Sequence, residues 1–155
     1  MKRYILKFVT AMAALVLVAC SKSDDDSSFL GVKAELDGVE LKVSQGGGNT
    51  VNTTSSGGSF SIYAYNSDEE GYRISLEDTT PTGTYDLADS EVSMTYVKDA
   101  MASNYYGFDS GTMTITKFEN GDDIHFKATF SGAASPNMGG GTAVVITDGE
   151  VEIKF

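Results

Sequence analysis

Apolar and polar residues alternate one by one along most of this chain, from Val32 to its last residues. That period restricts the chain to strands, because only an extended backbone sends successive side chains to opposite faces. Val32, Ala34 and Leu36 alternate with Lys33 and Glu35, and Val39, Leu41 and Val43 alternate with Glu40 and Lys42. Between the two runs stands Asp37-Gly38, a pair that accepts positive φ at both turn positions and so predicts a two-residue hairpin. Phe60, Ile62 and Ala64 make one face, with Tyr63 and Tyr65 on the other; Tyr72, Ile74 and Leu76 answer them after a polar turn. Val92, Met94 and Tyr96, then Met113 and Ile115, continue the pattern. Ile124, Phe126, Ala128 and Phe130 form the most regular strand, with His125 and Lys127 on its wet side. Val151, Ile153 and Phe155 close the chain opposite Glu150, Glu152 and Lys154.

Strict alternation gives each strand one dry face and one wet face. The expected fold class is all-β, an antiparallel meander of about eight or nine strands. Such a meander buries its dry face by packing as a sandwich or closing as a barrel, and the alternation suits both. The 17 glycines and two prolines fit the turns between short strands. Residues 44–59, rich in Gly, Ser, Thr and Asn, predict a long mobile loop, and residues 131–141, with Pro136 and three successive glycines, predict a second.

Residues 1–19 stand apart from this body. Lys2, Arg3 and Lys7 make a basic start, and the uninterrupted apolar run over 11–19 is far shorter than the roughly 20 residues of a membrane-spanning helix. The run ends on Leu17-Val18-Ala19-Cys20: an aliphatic residue, a tolerated one, a small one and a cysteine. That order resembles a bacterial lipoprotein signal. It implies cleavage before Cys20 and acylation of its sulfur, with each buried methylene contributing about 0.8 kcal/mol to the anchor. Cys20 is the only cysteine, so no disulfide forms within the chain. Residues 20–28 hold no apolar residue beyond Cys20 and read as a flexible acidic tether. Ser23 followed by Asp24, Asp25 and Asp26 resembles the lipoprotein export signal of Bacteroidota, which implies an outer-membrane protein facing the cell exterior. Residues 29–155 remain as a single all-β domain.

The leader carries three of the 11 basic residues and no acid, so its removal moves the net charge from −11 to −14. A surface of that sign repels nucleic acid and anionic lipid, and excludes DNA and RNA as partners. It also favours a soluble monomer.

Several segments, taken in order, resemble an uncharacterised family of small Bacteroidota surface lipoproteins with one all-β domain. They are the hairpin from Val32 to Gly38, Arg73-Ile-Ser-Leu, Gly83-Thr-Tyr-Asp-Leu, and Gly111-Thr-Met-Thr-Ile-Thr-Lys-Phe. Ile124-His-Phe-Lys-Ala-Thr-Phe-Ser-Gly and the closing run from Val145 to Phe155 complete the set. The resemblance implies the fold and the surface location, and no activity.

Candidate chemistry is sparse. His125 is the only histidine and should face solvent beside Asp122 and Asp123, too few ligands for zinc. Asn66, Asp68, Glu70 and Glu77 stand at positions one, three, five and twelve of a calcium-loop spacing, with Gly71 at six. Against calcium, position one is Asn, Arg73 replaces the usual apolar residue, and both flanks read as strands; Gly71 fits a turn between Tyr65 and Tyr72. One solvent-facing histidine without a nucleophile elbow makes no triad. Gly46-Gly47-Gly48 and Gly139-Gly140-Gly141 are loop runs, not phosphate cradles. Aromatic residues remain. Tyr105, Tyr106 and Phe108 cluster on an expected loop near Tyr96, Met94 and Met101, where they either form a ligand platform or plug the end of the core. The resulting expectation is a non-catalytic binding module, without cofactor, for an extracellular glycan or protein. A structural or envelope-stabilising lipoprotein is the alternative, and a hydrolase comes third.

Overall fold

The computed structural model describes residues 29–89, 91–99, 104–138 and 141–155; Cys20, Ser23, Asp24, Asp25, Asp26 and Met101 lie outside them. The described residues form ten strands and no α-helix: β1 (Gly31–Leu36), β2 (Val39–Ser44), β3 (Thr50–Ser56), β4 (Ser59–Tyr65), β5 (Gly71–Glu77), β6 (Gly83–Asp86), β7 (Val92–Val97), β8 (Tyr105–Asn120), β9 (Ile124–Pro136) and β10 (Val144–Lys154). They pair antiparallel in the order β2-β1-β10-β9-β8-β7-β5-β4-β3, a sheet nearly closed into a barrel. β6 lies along β8 from Thr112 to Ile115, while β7 pairs with β8 only over Tyr105 to Gly107.

The apolar positions of the alternation face inward. Val32, Val43, Phe60, Ile62, Ile74, Met113, Phe126, Val151 and Ile153 are fully buried. Rings meet across the interior: Phe60 of β4 lies 5.0 Å from Phe118 of β8, and Tyr72 of β5 packs edge-on to Phe130 of β9 at 5.7 Å. Extra residues at Asp109 and Thr116 bulge β8 against β9. Another bulge, where Asp148 takes φ 50°, does the same to β10. Bulges bend and twist a strand, and this curvature lets long strands wrap one core instead of forming a flat sheet.

Four expectations need correction. The first expected loop, 44–59, contains β3, which pairs with β4 over its whole length through a turn at Gly57 and Gly58, both at positive φ. β3 lies at the sheet's edge and turns Val51, Thr53 and Ser55 to the inner face, where only Val51 is apolar, so it shows no apolar alternation; β-branched Thr and Val suffice for a strand. The second expected loop is strand as far as Pro136. Val39 and Phe155 are 70% and 48% exposed, because the strand ends overshoot the core. Glu152, expected on a wet face, is only 6% exposed, and His125 beside it is half-buried.

Candidate functional site

A transverse row crosses four strands at one end of the barrel. Tyr65 of β4 pairs with Gly71 of β5, Gly71 with Val97 of β7, and Val97 with Tyr105 of β8. Alternation points all four positions outward, since Ala64, Tyr72, Tyr96 and Phe108 on the same strands are buried in the core. Val97 belongs to this outward set and is nevertheless only 3% exposed. Gly71 has no side chain, so Tyr65 and Tyr105 form walls and Gly71 and Val97 the floor. The groove encloses about 290 Å³ and is lined by Thr50, Tyr65, Asn66, Glu69, Val97 and Tyr105.

The adjoining outward row holds Tyr63, Arg73, Thr95 and Gly107. The Arg73 guanidinium lies over the Tyr63 ring, 5.3 Å from its centroid, and the Tyr63 and Tyr65 rings are 6.5 Å apart. Burial raises the Tyr65 phenol above its ordinary pKa; Tyr105 and Tyr63 add to the rise and Arg73 opposes it. Tyr105, Arg73 and Tyr63 therefore all lie within electrostatic reach of Tyr65.

The local backbone explains how the rim is held. In the β4–β5 turn, Asn66 Oδ1 accepts the amides of Asp68 (2.9 Å) and Glu70 (3.0 Å), and Glu69 takes φ 62°. A side-chain carbonyl that caps two amides fixes a tight turn. At the other rim, the Asn137 amide donates to the Tyr105 carbonyl, and Asn137 Oδ1 accepts from Gly107 N at 3.1 Å. Both tyrosines are thus mounted on hydrogen-bonded backbone.

Of the three aromatic residues singled out from the sequence, only Tyr105 belongs to this groove. Tyr106 points inward, with its ring 5.4 Å from Tyr96, and packs against the core. Phe108 is 8% exposed and meets Phe130 edge-on at 6.5 Å. The expected loop is the first part of β8, and strand geometry sends neighbours to opposite faces. Tyr65 came from the sequence only as a wet-face tyrosine. Arg73, Val97 and Gly71 were missed, because nothing local tells which strands become neighbours.

Beneath the groove, the Tyr96 hydroxyl donates to Glu70 Oε1 (2.5 Å). Tyr72 is fully buried, and its hydroxyl has no hydrogen-bond partner among the described residues. Burial, then Glu70, pushes the Tyr72 phenol far above its ordinary pKa, so it stays neutral.

The calcium spacing does not bring its four residues together. Asn66 Oδ1 is taken by two amides, Glu70 holds Tyr96, and Glu77 ends β5 six residues beyond Gly71, about 20 Å away. Asp68 is left exposed on the turn. Gly71 is not a turn residue but the first of β5, where an added Cβ would collide with the Ala64 carbonyl oxygen. Among the described residues, no three His, Cys, Asp or Glu side chains are grouped to hold a metal.

His125 belongs to a different cluster. Its Nε2 lies 3.3 Å from Glu152 Oε1, and Lys154 and Lys127 reach the same carboxylate at 2.8 and 3.0 Å. The hydrogen bond from Lys154, opposed by burial and reinforced by Lys127, holds Glu152 down at about 2. A larger concavity of about 350 Å³ lies on the outer face of β8, β9 and β10, where Thr112, Thr114, Thr129 and Ser131 are among its lining residues. The rest of its lining is Gly149, the acids Asp148 and Glu150, and one ring, Phe130, which is packed in the core, so the tyrosine groove is the better binding candidate. Comparison with protein-family models, curated proteins and solved structures finds no match to this chain.

Proposed function

We propose that this chain is a non-catalytic, lipid-anchored protein of the outer membrane, facing the cell exterior, that binds an extracellular glycan between Tyr65 and Tyr105. The observation that carries the reading is the Tyr65–Gly71–Val97–Tyr105 row: two rings mounted on strands either side of a low floor made by Gly71 and Val97. Ring faces cover the apolar face of a sugar, while Thr50, Asn66 and Glu69 at the rim suit its hydroxyls. A protein partner needs about 800 Å² on each side, and the aromatic row is one narrow strip. The binding reading is favoured over a hydrolase by the position of His125. Its β8 partner Glu119 lies at the opposite end of that strand from Tyr105, so the histidine is remote from the groove. The anchor and outward address rest on Cys20 and on Ser23 to Asp26.

A glycan array probed with the purified chain tests the reading, with Tyr65→Ala and Tyr105→Ala alongside. Binding lost in both variants supports it. Binding unchanged in both removes the groove from the site. No glycan binding at all, with retained membrane attachment, favours the envelope-stabilising role.

A further inference from the structure

We propose that the groove takes an acidic glycan, a chain whose hexuronate carboxylate is held by Arg73 while its pyranose faces rest on Tyr65 and Tyr105. This rests on the glycan reading above and adds the charge of the ligand to it.

Arg73 is two residues along β5 from Gly71, hence on the same outer face and one row beyond the groove floor. It is exposed, and its guanidinium rests on Tyr63. No carboxylate among the described residues comes within 4.0 Å of it. Lys33, Lys117, Lys127 and Lys154 all reach a carboxylate at 3.2 Å or less, whereas Lys42, remote from the groove on β2, shares with Arg73 a place on a ring, that of Phe29. On a chain with 22 acidic residues, an arginine paired with a ring instead of an acid keeps its donors for something else. A guanidinium lying on a ring keeps its N–H edge, and that fork matches a carboxylate with two parallel hydrogen bonds.

The groove is polar in direction. Arg73 and Tyr63 flank one side and Glu69 lines the other, near the Asn66 turn. An anionic group is therefore favoured beside Arg73 and repelled beside Glu69, which orients the chain and limits the acids it presents. The net negative charge acts the same way. A densely charged polyanion is repelled by the whole surface, whereas one carboxylate opposite Arg73 gains a local, short-range partner.

The test uses matched pairs: hexuronate oligosaccharides and the same oligosaccharides with each carboxyl reduced to a neutral hydroxymethyl group. Affinities are measured by calorimetry with the purified full chain. The acidic member should bind about tenfold more tightly than its neutral counterpart, the scale of one charge-assisted hydrogen-bond pair. Arg73→Gln should remove the preference, so that the acidic and neutral members of each pair bind with equal affinity. Arg73→Lys should recover only part of the preference, since it keeps the charge and loses the fork. Tyr105→Ala should abolish binding to both members. Equal affinities within pairs, or a preference that survives Arg73→Gln, overturns the acidic assignment and leaves the glycan reading standing. No binding to either member of any pair overturns the glycan reading itself. Thermal melting of each variant separates a lost contact from a lost fold.

Discussion

Tyr105 and Tyr106 are consecutive in the chain and serve opposite faces of the sheet: Tyr106 packs its ring 5.4 Å from Tyr96 inside, while Tyr105 walls the outer groove. The split follows from β8 starting at Tyr105, so that the period of two applies from its first residue. It assigns the two residues different consequences on truncation.

Tyr106→Ala should destabilise the domain by about 2–4 kcal/mol, since it empties part of the core. Tyr105→Ala should cost less than about 1 kcal/mol. Urea unfolding followed by tyrosine fluorescence measures both. Equal costs would place the two rings in similar surroundings and remove the groove wall.

Gly71→Ala should destabilise by more than about 2 kcal/mol, because the added methyl meets the Ala64 carbonyl on the neighbouring strand. Gly121→Ala, where nothing lies within 4 Å of the new Cβ, should stay within about 0.5 kcal/mol. Comparable melting temperatures for the two variants would contradict the close approach of β4 and β5 at that point.

Phe126 is fully buried, and Phe126→Ala should cost about 3–5 kcal/mol. His125 is half-buried on the other face, and its partner Glu152 keeps two lysines. His125→Ala should therefore cost less than about 1 kcal/mol. Reversed sensitivities would mean that β9 is shifted by one residue, which exchanges every face along it.

Glu152 gives stability a specific pH dependence. Its pKa falls from 4.5 to about 2 on folding, so the folded state favours the carboxylate. That contribution is complete above the unfolded value and disappears as pH falls through about 2. Glu152→Gln should destabilise by about 1–3 kcal/mol at pH 7, and the difference should shrink through acid and be gone near pH 2. A difference that stays constant over that range would show that the lysines do not favour the charged form.

Cys20→Ala should release the protein from membranes washed in carbonate. Replacing Asp24, Asp25 and Asp26 with Ala should protect it from protease added to intact cells while it stays lipidated. Retention of the Cys20 variant in the membrane would assign the anchor elsewhere, and equal proteolysis of both forms would reduce the acidic run to a spacer.

Much of the fold was legible because the signal is local. Each dry face, from Val32 and Ala34 to Val151 and Ile153, follows from the period of two, and Asp37-Gly38 forms the expected turn with φ 49° and 83°. β3 escaped because an edge strand with one apolar residue on its inner face carries almost no hydrophobic period, although Gly57-Gly58 between serines was a hairpin signal in plain view. Alternation also says which side of a strand is wet, and so marked Tyr63 and Tyr65 as outward. It does not say which strands become neighbours or how they are aligned. Bulges at Asp109, Thr116 and Asp148 curved the sheet, and long-range pairing set Tyr65 and Tyr105 in one row with Gly71 and Val97 between them. Pairing between distant segments depends on the whole core packing at once. For that reason the sequence by itself determined most of the strands and which side of each is dry, while β3, the closure, the groove and the company of Arg73 were decided only by the tertiary structure.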